Sequence, residues 1–283
     1  MAKQYPTQTQ PPATKAVLID VPAPHVLLIT INRPGKMNSL SVEDCWEMDR
    51  VWKWFDDESE LRVGIITGAG TKALSAGMDL KEAQFTDPTS RTTGPTGRKA
   101  SYPDNGFAGL TRRVGKKPII CACNGHAHGG GFEIALNSDL VLASPAANFR
   151  LPDVLRGTAA MAGAFPRICR NFGLQRAMLL ALTGYTLRAE EAVQWGLVQR
   201  VVPQEELIEK AVEMASLIAS MSPDSVIVSR AGVREAWETA SVDRAVQLTH
   251  EQYGEKLMAG ENVLEGMRAF KEKRLPKWVP SKL

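Results

Sequence analysis

Residues 124–136 read NGHAHGGGFEIAL, and they follow a β-branched, apolar run, IICAC at 119–123. Three consecutive glycines let a backbone turn sharply and bring its N–H groups against a ligand with no side chain between. The apolar Ile134-Ala135-Leu136 that follows predicts the start of a helix, whose free N–H groups and positive dipole end would face whatever sits above the glycines. That arrangement suits a developing oxyanion. Glu133, carried on the first turn of the same helix, is either an N-terminal cap or an acid placed beside that oxyanion.

Working outward, VLLITIN at 26–32, VGIIT at 63–67, DLVLA at 139–143, FRL at 149–151 and LVQRVV at 197–202 read as further strands. VEDCWEMDRVWKWFDDE, between the first two, reads as an amphipathic helix with Ser41 as its N-cap. Strands alternating with helices mean an α/β chain. After Pro203 the character changes: 204–222, 224–239 and 241–258 carry helical periodicity with no strand signal between them. Residues 1–16 are rich in Gln, Thr and Pro and predict a mobile tail. The stretch 84–107, dense in Gly, Pro, Ser and Thr, predicts a long loop that is either disordered or part of a binding site.

Composition narrows the function classes. Of 283 residues 44% are hydrophobic and 23% charged, and 34 Lys and Arg against 31 Asp and Glu leave a charge of +3, too small and too evenly spread for nucleic acid as the main partner. Cys45, Cys121, Cys123 and Cys169 lack paired metal spacing and are too few for a disulfide scaffold, so reduced thiols are expected. No apolar run reaches the roughly 18 residues of a membrane span, and the opening residues have no apolar core for a signal peptide, so no membrane partner is expected. Ser281-Lys282-Leu283 spells a peroxisomal import signal, which predicts the peroxisome and its import receptor as a partner.

Several motifs invite a chemistry that their context denies. Gly68-Ala69-Gly70 after a strand imitates a dinucleotide fingerprint, but Leu74-Ser75-Ala76-Gly77 is a poor helix start, no acidic residue closes a second strand about 20 positions on, and no Gly-Lys-Ser/Thr is present. His126 and His128 are spaced for one side of a strand, yet with glycines beside them and no nearby carboxylate they read as hydrogen-bonded or solvated loop histidines, and no metal is expected. Cys121 and Cys123 read as small apolar residues of a buried strand. ALSAGMDL at 73–80 is a second small-residue bend after a strand. Together with the triple glycine it offers two separate sources of backbone N–H, which a thioester enolate requires.

The strings NRPGKMNSLS (32–41), ALSAGMDLKEA (73–83), NGHAHGGGFEIAL (124–136) and FRLPDVLRGTAAMAGAFPRI (149–168), in this order, resemble the crotonase or enoyl-CoA hydratase/isomerase superfamily. TGYTLRAEEAVQWGLVQRVVP (183–203) and EGMRAFKEKRLP (265–276) extend the resemblance over residues 17–275, and it is strongest to the peroxisomal, fungal-type enoyl-CoA hydratases. The resemblance implies an α/β, ClpP-like spiral of ββα units over 17–203 and a helical trimerisation region over 204–280, assembled as a homotrimer or hexamer. It implies an acyl-CoA thioester as ligand, with CoA entering as part of the substrate and no separate cofactor. The oxyanion hole would be the N–H groups of Met78 and Gly130, and CoA would lie along Lys36, Met37, Ala76, Gly77, Asp79, Leu80, Lys81 and Gly129. The family's two carboxylates fall on Glu133 and Asp153, the second normally a glutamate. Retention of both favours hydration of a 2-enoyl-CoA. A 3,2-enoyl-CoA isomerase, a branched 3-hydroxyacyl-CoA dehydratase of a secondary pathway such as siderophore or toxin assembly, and a non-catalytic CoA-binding protein are the alternatives. Asp153 alone also reads as a turn cap after Pro152, and Arg156 as its surface partner.

Overall fold

A computed structural model describes residues 4–81 and 102–283; most of the loop at 84–107 lies outside them. The hairpin β1 (Val17–Ala23) and β2 (Val26–Ile31) leads through α1 (Val42–Asp57) to β3 (Val63–Gly68) and β4 (Ala73–Ser75). β5 (Ile119–Cys123), β6 (His126–His128) and α2 (Gly130–Asn137) form the next unit, and β7 (Leu140–Ala143) and β8 (Asn148–Arg150) the one after. α3 (Ala164–Phe172), α4 (Leu174–Thr183), β9 (Leu187–Arg188), α5 (Ala189–Gln194) and β10 (Arg200–Val201) follow. The C-terminal part contains α6 (Leu207–Ala219), α7 (Pro223–Thr239), α8 (Val242–Thr249), α9 (Glu255–Met258) and α10 (Glu261–Glu272), with a π turn over 250–254 between α8 and α9.

The strands form two sheets, one in the order β1-β2-β3-β5-β7-β10 and one in the order β4-β6-β8-β9. Apart from the antiparallel pairs β1–β2 and β8–β9, neighbours run parallel. Three times the chain leaves the larger sheet and enters the smaller one, at β3 to β4, β5 to β6 and β7 to β8. Each turn therefore adds one strand to each sheet, which is a spiral of ββα units.

The apolar strands are continuous rather than alternating because both faces of the larger sheet are covered. Ile66, Cys121, Cys123 and Val141 pack with Trp52, Phe55 and Phe132 on one side. Val63, Ile65, Ile120, Ala122 and Leu142 pack on the other against Leu207, Ala211, Ala215 and Ala219 of α6. The helical region expected from 204 onward thus begins with a helix that belongs to the core. Beyond it, Arg230 and Arg234 of α7 bind Asp139 at 2.9 Å each. Burial pushes the Asp139 carboxyl up, but the two guanidinium groups outweigh it and hold it below the usual range.

α1 begins as expected. Ser41 Oγ accepts the Asp44 N–H at 3.1 Å, and Asp44 Oδ2 accepts the Ser41 N–H at 2.8 Å, a complete capping box. Two buried asparagines secure the corners. Asn38 Nδ2 donates to the carbonyls of Ala69 (3.0 Å) and Ala73 (2.7 Å), and Asn124 Nδ2 to those of Gly68 (2.8 Å) and Gly70 (2.7 Å). They satisfy carbonyls that a strand leaving its sheet would otherwise bury unpaired.

Two expectations change. Within 1–16, residues 4–16 are not a free tail: Glu58 accepts the N–H groups of Gln8 (3.1 Å) and Thr9 (2.8 Å) and the Thr9 hydroxyl (2.6 Å). Glu47 takes the Lys15 N–H at 2.8 Å, and the Tyr5 hydroxyl donates to Ile19 O at 2.9 Å. A segment too polar to dock by apolar burial is held instead by charge-assisted hydrogen bonds. The strand expected over 197–202 shortens to Arg200–Val201, because the Leu197 and Val198 N–H groups turn back to the Ala192 carbonyl at the end of α5.

Glu58→Ala removes the acceptor for three of these bonds. Limited proteolysis should then cut between residues 4 and 16, while the parent chain resists; equal resistance would mean that the docking does not depend on Glu58.

Candidate active site

The bend after β4 and the N-terminus of α2 meet backbone to backbone. A Cβ on Gly131 would lie 2.2 Å from Ser75 O, and one on Gly77, whose φ is +88°, would lie 2.9 Å from His128 O and 3.2 Å from Gly130 N. Only glycine permits this approach. Leu40 donates to Gly77 O at 3.0 Å and accepts from the Asp79 N–H at 2.9 Å, so the Met78 N–H between them points the other way. Among the described residues the N–H groups of Met78 and Gly130 donate to nothing. Two free donors, brought together by one close contact, open onto a cleft of about 1290 Å³.

The same cleft is lined by Glu133 and Asp153. Glu133 is 3% exposed, and its Oε1 accepts the N–H of Ala164, the first residue of α3, at 3.0 Å. Its cap function therefore serves another helix than its own. Burial pushes the carboxyl up to about 7, the Ala164 N–H opposes, and the Asp153 charge adds to the rise. Asp153 sits on a 3₁₀ turn over Pro152–Arg156. Its Oδ2 is buried with no hydrogen-bond partner and lies 3.7 Å from where a Cβ on Gly129 would be. Burial raises this carboxyl too, against its own backbone N–H and Arg156. Arg156 is not its ion-pair partner; it donates to the Pro152 carbonyl at 3.3 Å.

Lys36, Met37, Ala76, Gly77, Asp79, Leu80, Lys81 and Gly129 also line the cleft. Asp79 has a different task from the others. Its buried carboxylate binds Arg33 at 3.3 Å and Lys36 at 3.2 Å, and Arg33 reaches on to Asp44 of the capping box at 2.6 Å. It holds the loop of 33–39 against the bend of 76–81. His126 and His128 lie on β6, not in a loop, and each aims a ring nitrogen at Asn148 Oδ1, at 3.0 and 2.8 Å. Burial keeps His128 below its usual pKa. Among the described residues no three His, Cys, Asp or Glu gather as metal ligands do, and no single helix is long and apolar enough to cross a membrane. Tyr102 and Phe107 at the cleft wall escaped the sequence reading, since the loop that carries them has no periodicity to place them.

A family model described as enoyl-CoA hydratase/isomerase matches residues 23–280. The chain belongs to this family. It is 48% identical over 272 residues to the mevalonyl-coenzyme A hydratase of Aspergillus fumigatus, covering 96% of this chain and 98% of that one. It is 36% identical over 260 residues to the carnitinyl-CoA dehydratase of Escherichia coli, covering 89% and 94%. The crystal structure of enoyl-CoA hydratase from Bacillus anthracis superposes with a TM-score of 0.82 at 32% identity, covering 94% of this chain and all of that one. The protein is thus a crotonase-family hydratase, a hydro-lyase acting on CoA thioesters, with the α/β spiral that the motifs implied.

In this hydratase the buried acid works against the fold. With its carboxyl displaced from 4.5 to about 7, the folded chain holds a proton that the unfolded chain releases, so stability falls as pH rises through that window. Below it both states are protonated and nothing is lost. The full displacement corresponds to roughly 3 kcal/mol above pH 7. Glu133→Gln keeps the acceptor for Ala164 and removes the charge. Denaturant unfolding at pH 8.5 should show the variant more stable by up to about 3 kcal/mol, with the gain fading toward pH 5; a gain independent of pH would contradict the account.

Proposed function

We propose that the enzyme adds water to, or removes it from, a branched, hydroxyl-bearing acyl-CoA at C2–C3, with Met78 and Gly130 as oxyanion donors and Glu133 and Asp153 as the acid–base pair. The observation that carries the reading is the pairing of two unbonded N–H groups with two carboxyls of unequal environment in one cleft. The near-complete match to a relative named mevalonyl-coenzyme A hydratase supports the substrate class. Asp153, shorter by one methylene than the glutamate that the family resemblance leads one to expect, leaves more room beside C3.

The chemistry follows from the environments. The two N–H groups polarise the thioester carbonyl and make C3 of a 2-enoyl group electrophilic. The less perturbed Asp153, ionised, takes a proton from water as its oxygen bonds to C3. The enolate collapses, and C2 takes the proton of Glu133, which burial keeps protonated to about pH 7. Water has crossed the double bond, Asp153 is left protonated and Glu133 ionised, and proton exchange between them resets the site. Dehydration is the same path reversed. An isomerase moves a proton between C2 and C4 and requires one such acid, so two carboxyls in one cleft favour hydration.

Assembly and address are part of the proposal. Leu174, Met178 and Leu182 of α4, Val242 and Val246 of α8 and Phe270 of α10 are exposed, which supports a homotrimer or hexamer. Ser281-Lys282-Leu283 supports peroxisomal import. In the folded chain Lys116 Nζ donates to Leu283 O at 2.9 Å and Lys282 pairs with Glu261, so an import receptor must first lift the tripeptide off. Deleting Leu283 should leave activity unchanged and the protein in the cytosol; continued import would refute the address.

The activity is read from the ultraviolet absorbance of the conjugated 2-enoyl thioester. It should decay on adding 3-methyl-2-butenoyl-CoA or its 5-hydroxylated homologue, and no change with either would sink the reading. Glu133→Gln and Asp153→Asn should each lower kcat by about 10²–10⁴-fold with little change in CoA affinity. The pH profile of kcat/KM should be a bell whose alkaline limb lies near 7, where Glu133 gives up its proton.

A further inference from the structure

Tyr102 lines the cleft together with Gly130, Glu133 and Asp153, and the reaction proposed above makes no use of it. Its ring is fixed. It packs against the main core and meets Phe107 edge to face, centroids 5.8 Å apart at 77°. Phe107 in turn presses on the N-terminus of α2: a Cβ on Gly130 would lie 2.5 Å from the Phe107 ring. Tyr102 is therefore one side chain removed from Gly130 and is backed by packing on the core. Tyr5 and Tyr185 commit their hydroxyls to Ile19 O and Glu191. The Tyr102 hydroxyl has no partner among the described residues, although half-buried tyrosines ordinarily find one.

We propose that Tyr102 selects the acyl group, its phenol hydroxyl bonding a hydroxyl that the acyl chain carries beyond C3. The inference rests on the substrate class proposed above. Beside its hydroxyl-bearing ring stands Phe107, which bonds nothing polar, and the cleft wall carries the apolar Ala160, Met161 and Ala162 together with the polar Arg112, Arg156 and Thr158. Burial above all, with the neighbouring Cys45, Glu133 and Asp153 adding to it, raises the phenol far above its ordinary range, so it keeps its proton and donates at any working pH. The nearness of Asp153 disfavours an acyl group ending in a carboxylate, which would set a second negative charge beside its own. A neutral hydroxyl both accepts from the phenol and donates back. A plain hydrocarbon chain leaves the phenol unpaired when bound, and a site built around a substrate hydroxyl rejects the analogue that lacks it.

Tyr102→Phe keeps the ring and its packing on Phe107 and removes only the oxygen. Hydration of 5-hydroxy-3-methyl-2-pentenoyl-CoA and of 3-methyl-2-pentenoyl-CoA, which differ only in that hydroxyl, should be compared in the parent and the variant. The expected result is a loss of about 10–100-fold in kcat/KM with the hydroxylated thioester and less than about twofold with the plain one. Equal losses with both would make Tyr102 part of the water site or of the packing, and no loss with either would remove it from recognition; each overturns the proposal and leaves the hydratase reading standing. A parent enzyme inert toward the hydroxylated thioester but active on the plain one overturns the substrate class, and the role of Tyr102 falls with it.

Discussion

Everything that the cleft can do depends on the contact of two peptide backbones. Gly131 lies so close to Ser75 O, and Gly77 to His128 O and Gly130 N, that a single methyl group on either side would force them apart. The contact aligns the Met78 and Gly130 N–H groups and seats α2 so that Glu133, three residues into the helix, enters the same space. Free donors, buried acid and cleft are set by one steric condition.

The spiral makes that condition achievable. Two successive turns present β4 and β6 as parallel neighbours in the smaller sheet, so the bends that follow them emerge side by side. Sheet hydrogen bonds supply the spacing, and the corner asparagines Asn38 and Asn124 keep it without unpaired carbonyls. Asp79 adds a charged clamp through Arg33 and Lys36. The larger sheet, covered by α1 on one side and α6 on the other, supplies the rigidity on which a preorganised site relies.

The cost of function is concentrated at Glu133. A carboxyl buried beside a second carboxyl holds its proton to about pH 7, which suits an acid catalyst and weakens the fold at alkaline pH. Asp153, with Oδ2 unpaired in the chain, is the second expense. Burial that would be an error in a structural core is the source of the different proton affinities of the pair.

Much of this was legible along the chain. Apolar runs marked β2, β3 and β5, the pattern after Ser41 marked α1, and the glycines of 129–131 marked the start of α2, because each depends on neighbours close in sequence. The polar segment 4–16 was misread, since its stability comes from Glu47 and Glu58, which lie on α1 and at its C-terminal cap, far along the chain. α6 looked like part of an appendage because nothing local says that its alanines fill the second face of the larger sheet. Tyr102 was invisible for the same reason, as a loop residue acquires a role only from what it is packed against. The sequence by itself determined the α/β alternation, the two backbone bends and the family; tertiary structure alone decided that the bends touch, that Glu133 caps α3 and not its own helix, and that a tyrosine hydroxyl is left free at the cleft. Those are consequences of distance and burial, which arise only when segments remote in sequence exclude water together.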